Sequence, residues 1–145
     1  ERLVMLVRHV LDRKGHETHA IGPEATVLEA LRRMAEHEIG ALLVMQGDRV
    51  LGVISERDYA RKVILLGRSS AETPVWQIMS SPVVTATPDD GVRQCMQVMT
   101  EKRIRHLPVV EGGRMVGMIS IGDLVRVVIE EQDQTIEHLN RFIAG

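Results

Sequence analysis

An α+β fold built from two copies of one β-α-β-β-α unit is predicted by three observations on this chain. Residues 21–64 align without a gap to residues 86–129, an offset of 65 positions, and 16 of the 44 aligned pairs are identical. Pro23 falls on Pro88, Val27 on Val92, Met34 on Met99, Ile39 on Ile104, Gly52 on Gly117, Ile54 on Ile119, Ser55 on Ser120 and Asp58 on Asp123. Within each copy the apolar period changes from helical spacing to short strand-like runs, and each copy carries its turn residues at the same place. A repeat of this length is one supersecondary unit that buries its apolar face against neighbouring structure.

The elements follow in order. Residues 1–12 predict an extra amphipathic N-terminal helix with Leu3, Val7, Val10 and Leu11 on one side. Thr18 to Ile21 is a short β-prone segment, as is Val83 to Thr85 in the second copy, and either can join the sheet of either copy. After Pro23, Val27, Ala30, Leu31 and Met34 recur at helical spacing; after Pro88, Val92, Cys95, Met96 and Met99 do the same. Ala41–Met45 and Val50–Ile54, parted by Gly47-Asp48, predict a hairpin, matched by Leu107–Val110 and Met115–Ile119 around Gly112-Gly113. A closing helix follows through Tyr59, Val63 and Ile64, and through Leu124, Val127 and Val128. Residues 124–143 predict one long terminal helix. The boundaries expected from this pattern are an N-terminal helix over 1–14, a first repeat over 15–66, a connector over 67–80, a second repeat over 81–130 and a helical extension over 131–145.

Composition narrows the function. The chain has 145 residues, 44% of them hydrophobic, which suffices for one core shared by two halves. Its net charge of −2 and aromatic content of 2% provide neither a basic stripe nor stacking platforms, so nucleic acid is not an expected partner. No apolar run approaches the roughly 18 residues of a membrane span, and the first residues lack a signal-peptide pattern, so a cytoplasmic protein is expected. The single cysteine, Cys95, excludes an internal disulfide and fits a reducing compartment.

The two G-h-h-S-x-x-D segments, Gly52 to Asp58 and Gly117 to Asp123 (h, apolar), carry the candidate chemistry. Each ends a strand and opens a helix, where unpaired N–H groups and the positive dipole end attract an anion. The acceptor oxygens of Asp58 and Asp123 suit the vicinal hydroxyls of a ribose. Apolar strands alongside could sandwich a flat purine, and Lys14, Arg57, Arg61, Arg105 or His106 could neutralise phosphate. The same spacing is also a capping box, with Ser as N-cap and Asp reaching back, which explains both motifs without any ligand.

With GVISERD and GMISIGD, the RHLPVV strand at Arg105–Val110 and the PVVTATP run at Pro82–Pro88, nearly the whole chain resembles a tandem pair of cystathionine-β-synthase (CBS) domains, of the free-standing kind without a fused catalytic domain. The resemblance implies a pseudo-two-fold pair of repeats that acts as a regulatory or signalling module. Its implied ligands contain adenosine, among them AMP, ADP, ATP, NAD and S-adenosylmethionine, without implying which; AMP is the first expectation, with no metal required. It implies one site joining Val53, Ser55, Arg57 and Asp58 to Val83, Val84, Ile104 and Arg105. A second would join Met118, Ser120 and Asp123 to Thr18, His19, Ile39 and Gly40, with His106 at the phosphate end, so that both straddle the cleft between repeats. Gly122 stands in place of Arg57, and Gly40 in place of Arg105, so the two sites are unequal; Lys14 and Arg61 are additional candidates. The resemblance also implies a homodimer, for which Leu3–Leu11 and Ile136–Ile143 offer apolar faces, and an unidentified regulated protein. A ligand-free oligomerisation scaffold is the alternative function.

Other constellations carry less. His16, His19, His9 and His37 lack the cysteine pair or spaced carboxylates of a metal site and read as loop and surface residues. Cys95, Met96 and Met99 form a packed stripe rather than a redox site. No nucleophile–base order, phosphate loop or carboxylate pair can be assembled, so catalysis is not expected.

Overall fold

The computed structural model describes residues 4–144. The elements are α1 (Val7–Lys14), β1 (Ala20–Ile21), α2 (Val27–His37), β2 (Ala41–Gln46), β3 (Arg49–Ser55), α3 (Glu56–Tyr59), α4 (Val92–Lys102), β4 (His106–Glu111), β5 (Arg114–Ser120) and α5 (Ile121–Ala144). A π-helical turn, Ala60–Ile64, continues α3, and a single 3₁₀ turn spans Val75–Gln77. The mixed α+β architecture with a long C-terminal helix is as the repeat predicts. The chain divides into two bodies. One holds Glu17–Thr85 with Gly112–Arg114; the other holds the chain up to His16, Ala86–Glu111 and Met115 onward.

In the first body β1 runs parallel to β2, which pairs antiparallel with β3 in the register Ala41 to Ser55 through Gln46 to Arg49, with an irregularity at Val44/Met45. β2 is apolar on both faces because Leu42, Leu43 and Val44 are all completely buried. Thr26 caps α2 by accepting the Glu29 amide, and the helix presents Val27, Ala30 and Met34 inward at the spacing the sequence predicts. These residues pack with Ile54, Val63, Val75 and Ile78 in one cluster. Each buried Val, Ile or Met side chain among them contributes about 1.5–3 kcal/mol.

The second body repeats the plan. Val92, Cys95 and Met99 are the buried face of α4, which contacts α5, and β4 and β5 form a two-stranded sheet. Gly112 and Gly113 turn the hairpin with φ of 59° and 78°, the positive values that a tight two-residue turn needs. The segment Val83–Thr85 does not form the expected strand. Only Ala86 bridges Val109, in parallel, through Ala86 N to Pro108 O and Val110 N to Ala86 O. Beyond Ala86 the Thr87 amide donates to Asp90 Oδ2 at 2.9 Å and Pro88 has no N–H, so the pairing does not run on past Ala86.

Each body is closed by a leading segment that the 65-residue repeat does not reveal. In the second body Val92 N donates to Met5 O, Val7 N to Asp90 O and Arg8 N to Pro88 O, all at 2.9 Å. In the first, Val27 N donates to Thr73 O (2.9 Å), Val75 N to Ala25 O (2.8 Å) and Trp76 N to Pro23 O (3.1 Å). The bonds are the same, but the docked residues lie 68 positions apart, Met5 matching Thr73 and Val7 matching Val75. Residues 4–12 therefore serve the second repeat and residues 73–80 the first. The expected N-terminal helix accordingly starts at Val7, because Leu6 is extended and bridges Gly91. Leu3 lies outside the described residues. Val7, Val10 and Leu11 are buried in their own body, so that face is not available for a dimer contact.

Gly52 and Gly117 make this docking possible. A Cβ on Gly52 would lie 2.7 Å from Ser80 O and 2.9 Å from Met79 Sδ, and one on Gly117 would lie 2.6 Å from Leu11 Cδ2. The identical glycines of the repeat are thus positions of close approach in strand interiors.

Candidate functional site: two Ser-x-x-Asp turns

Both S-x-x-D segments are complete capping boxes. Ser55 ends β3 in extended conformation, and its hydroxyl accepts the Asp58 amide at 3.2 Å while Asp58 Oδ2 accepts the Ser55 amide at 2.9 Å. In the second repeat Ser120 Oγ accepts the Asp123 amide at 3.1 Å and Asp123 Oδ2 accepts the Ser120 amide at 2.8 Å. A strand-entry carbonyl braces each turn: Glu56 N donates to Gly40 O (3.0 Å) and Ile121 N to Arg105 O (2.8 Å). Gly40 is thereby joined to the Ser55 turn and Arg105 to the Ser120 turn.

The surroundings of the two carboxylates differ. Asp58 is 8% exposed. Its Oδ2 also accepts the Ser55 hydroxyl at 3.0 Å, and its Oδ1 accepts from Ser80 Oγ at 3.2 Å and from Lys62 Nζ at 3.1 Å. Ser80 is placed by its two-way backbone bridge to Val53, and Lys62 is fixed further by donating to Ile78 O at 2.9 Å. Asp123 is paired instead with Lys14 at the end of α1, whose ammonium lies 2.6 Å from Oδ2 and also donates to Met118 O at 2.7 Å. Burial alone would raise the Asp123 carboxyl, but the hydrogen bond and charge of Lys14, with the Ser120 contacts, outweigh it and hold it below the usual carboxylate range.

Val53, Ser55, Arg57, Asp58, Arg61, Val83 and Val84 belong to the first body, as do Thr18, His19, Ile39 and Gly40. Lys14, Ile104, Arg105, His106, Met118, Ser120 and Asp123 belong to the second. Arg57 and Arg61 are exposed, and Val83 and Val84 are half-buried in an irregular stretch. His19 leads into β1, its carbonyl accepting from Leu43 N at 3.0 Å and its ring stacked on His37 with centroids 3.9 Å apart. His106 opens β4. Ile39 and Gly40 line a shallow depression of about 280 Å³ with Leu31, Met34, Glu38 and Glu56. The second repeat carries Arg103, Arg105 and Ile121 where the first has Glu38, Gly40 and Glu56, a reversal of charge at the strand entry. Glu38 and Arg103 both end their helices in left-handed geometry, at φ of 54° and 56°. Among the described residues no group of three or more His, Cys, Asp or Glu is placed to hold a metal ion.

Sequence reasoning did not identify Ser80 and Lys62 as partners of Asp58. The i, i+4 spacing of Asp58 and Lys62 was a usable signal; nothing in the sequence marks Ser80.

Duplicated units with these turns define a tandem regulatory fold, and the chain belongs to the CBS-domain family, whose model matches residues 8–64 and 75–130. It is 45% identical over 125 residues to a mitochondrial CBS-domain-containing protein of Arabidopsis thaliana, covering 83% of this chain and 61% of that one. The chain thus spans about three-fifths of the length of that relative. A CBS-domain protein from Burkholderia ambifaria superposes with a TM-score of 0.84 at 45% identity, over 88% of this chain and 96% of the other. At 23% identity and a TM-score of 0.78, over 89% of this chain and 99% of the other, the fold is also that of a CBS-domain pair solved with 5′-methylthioadenosine and S-adenosyl-L-methionine.

Proposed function

We propose that this chain is a non-catalytic regulatory module that binds an adenosine-containing ligand through its Ser-x-x-Asp turns and works as a homodimer in the cytoplasm. The observation that carries this reading is the rigid presentation of a carboxylate at a strand-to-helix turn in each repeat. An oxygen fixed by a capping box is oriented before a ribose arrives, so little ordering cost remains to be met on binding. The ligand of the distant structural relative, with its adenosine moiety, supports the same class. The residues proposed with each turn are those the family resemblance implies: Val53, Arg57, Val83, Val84, Ile104 and Arg105 with Ser55 and Asp58, and Thr18, His19, Ile39, Gly40, His106 and Met118 with Ser120 and Asp123. AMP is the first candidate, and ADP, ATP, NAD and S-adenosylmethionine follow.

The dimer reading rests on α5. Ile129, Ile136, Leu139 and Ile143 are more than half exposed, at 51%, 57%, 52% and 80%. Ile129, Ile136 and Ile143 recur every seven residues with Leu139 between the last two, the spacing of a coiled-coil seam. That seam also favours the scaffold alternative, in which the Ser-x-x-Asp turns are caps and nothing more.

Melting of refolded protein with and without each adenosine compound separates the two readings. At about 100 times its dissociation constant a ligand adds roughly 2.7 kcal/mol, a shift of several degrees. A shift with one compound supports the sensor; no shift with any supports the scaffold.

A further inference from the structure

Given the adenosine-binding function proposed above, we infer that each chain takes one ligand, read by Asp123 of the second repeat, and that Asp58 of the first repeat is an internal latch. An ionised carboxylate offers about four lone-pair positions. Asp58 has all four occupied: the Ser55 amide and hydroxyl on Oδ2, the Ser80 hydroxyl and the Lys62 ammonium on Oδ1. A ribose brings two hydroxyl donors and would have to expel Ser80 and Lys62 together. Both are held from elsewhere, Ser80 by its strand bridge to Val53 and Lys62 by Ile78 O.

Asp123 is built differently. Its Oδ2 takes the Ser120 amide and Lys14, and Oδ1 meets no donor among the described residues other than the Ser120 hydroxyl, the third group that bonds this carboxylate, against four at Asp58. Its side chain is 18% exposed against 11% for Asp58. Oδ1 can therefore accept a vicinal diol with the capping box and the Lys14 pair both intact. The sequence encodes the difference. Val127 stands where the first repeat has Lys62, so no ammonium reaches back from the next helical turn. At the 68-residue offset of the leading segments Asp12 answers to Ser80, but it lies within α1, where no bridge like that of Ser80 to Val53 forms among the described residues, and an ionised carboxylate cannot donate.

Calorimetric titration of the refolded chain with AMP, and separately with S-adenosylmethionine, tests this. The expected result is one site per chain for the compound that binds, and at least a tenfold loss of affinity in Asp123→Asn. Two equivalents bound per wild-type chain, or one that keeps its affinity in Asp123→Asn, overturns the assignment while leaving adenosine binding intact. If neither compound gives heat or a melting shift, the ligand-binding function falls, and this assignment with it. Where the variant does not fold, a wild-type stoichiometry of two still overturns the assignment.

Discussion

The ammonium of Lys14 lies 2.6 Å from Asp123 Oδ2, so the last turn of α1 is tied to the first turn of α5 across 109 residues of sequence. Lys14 is the more exposed partner, at 35% of its side chain. After discounting for solvent screening, its replacement in Lys14→Met costs about 0.5–1 kcal/mol, a fall of a few degrees in Tm.

The same pair sets an acid-side dependence. Asp123 has a folded-state value below its unfolded one, so its contribution is fully present above the ordinary carboxylate range and is lost as pH falls through the lowered value. The loss of Tm between about pH 5 and pH 3 is expected to be shallower in Lys14→Met than in the wild type when both are melted across that range.

Gly52→Ala and Gly117→Ala are expected to destabilise unequally. At Gly52 the new methyl meets a backbone carbonyl 2.7 Å away, which moves only with the leading segment. At Gly117 it meets the end of the Leu11 side chain, which can change rotamer. Urea unfolding should give about 2–3 kcal/mol for the first and about 1 kcal/mol for the second; equal costs would show that the segments are not packed as described.

Burial, aided by the charge of Asp90, pushes the Cys95 thiol up to about 11. The nucleophilic thiolate is therefore scarce at neutral pH. A disulfide reagent at pH 7.5 should label Cys95 only in denaturant, and native labelling within minutes would contradict the burial. Because the folded value is raised, the thiol's contribution is fully present below the unfolded value and declines as pH rises toward 11.

Replacing Ile136 and Leu139 together by Glu removes the centre of the exposed seam on α5 without touching a buried residue. Sedimentation is expected to report a monomer with an unchanged circular dichroism spectrum, whereas a dimer that survives the double change would place the contact elsewhere.

Most of this architecture is legible in the chain because the repeat reports itself twice. The buried faces Val27, Ala30, Met34 and Val92, Cys95, Met99 follow from helical spacing, and both capping boxes follow from S-x-x-D. The docking of residues 4–8 and 73–76 is not legible, because it runs through backbone carbonyls such as Met5 O and Thr73 O, which any residue supplies. Its only trace is the pair Gly52 and Gly117, whose missing side chains make the room. The strand expected at Val83–Thr85 was read from β-propensity, which does not foresee that the pairing falls on Ala86 and ends where the Thr87 amide turns to Asp90. The inequality of Asp58 and Asp123 escaped the sequence because Ser80, which completes the latch, is 22 residues from its acceptor.

The crossing of the leading segments also orders events during synthesis. Apart from Gly112–Arg114 the first body is continuous in the chain from Glu17 to Thr85, whereas the second is interrupted by it and awaits residues from Ala86 on. On a ribosome, which extends the chain vectorially, the early half can close as soon as it emerges. The apolar stripe of Val7, Val10 and Leu11 meanwhile has no destination until the later half appears, so α1 waits longest, among the described helices, between synthesis and burial.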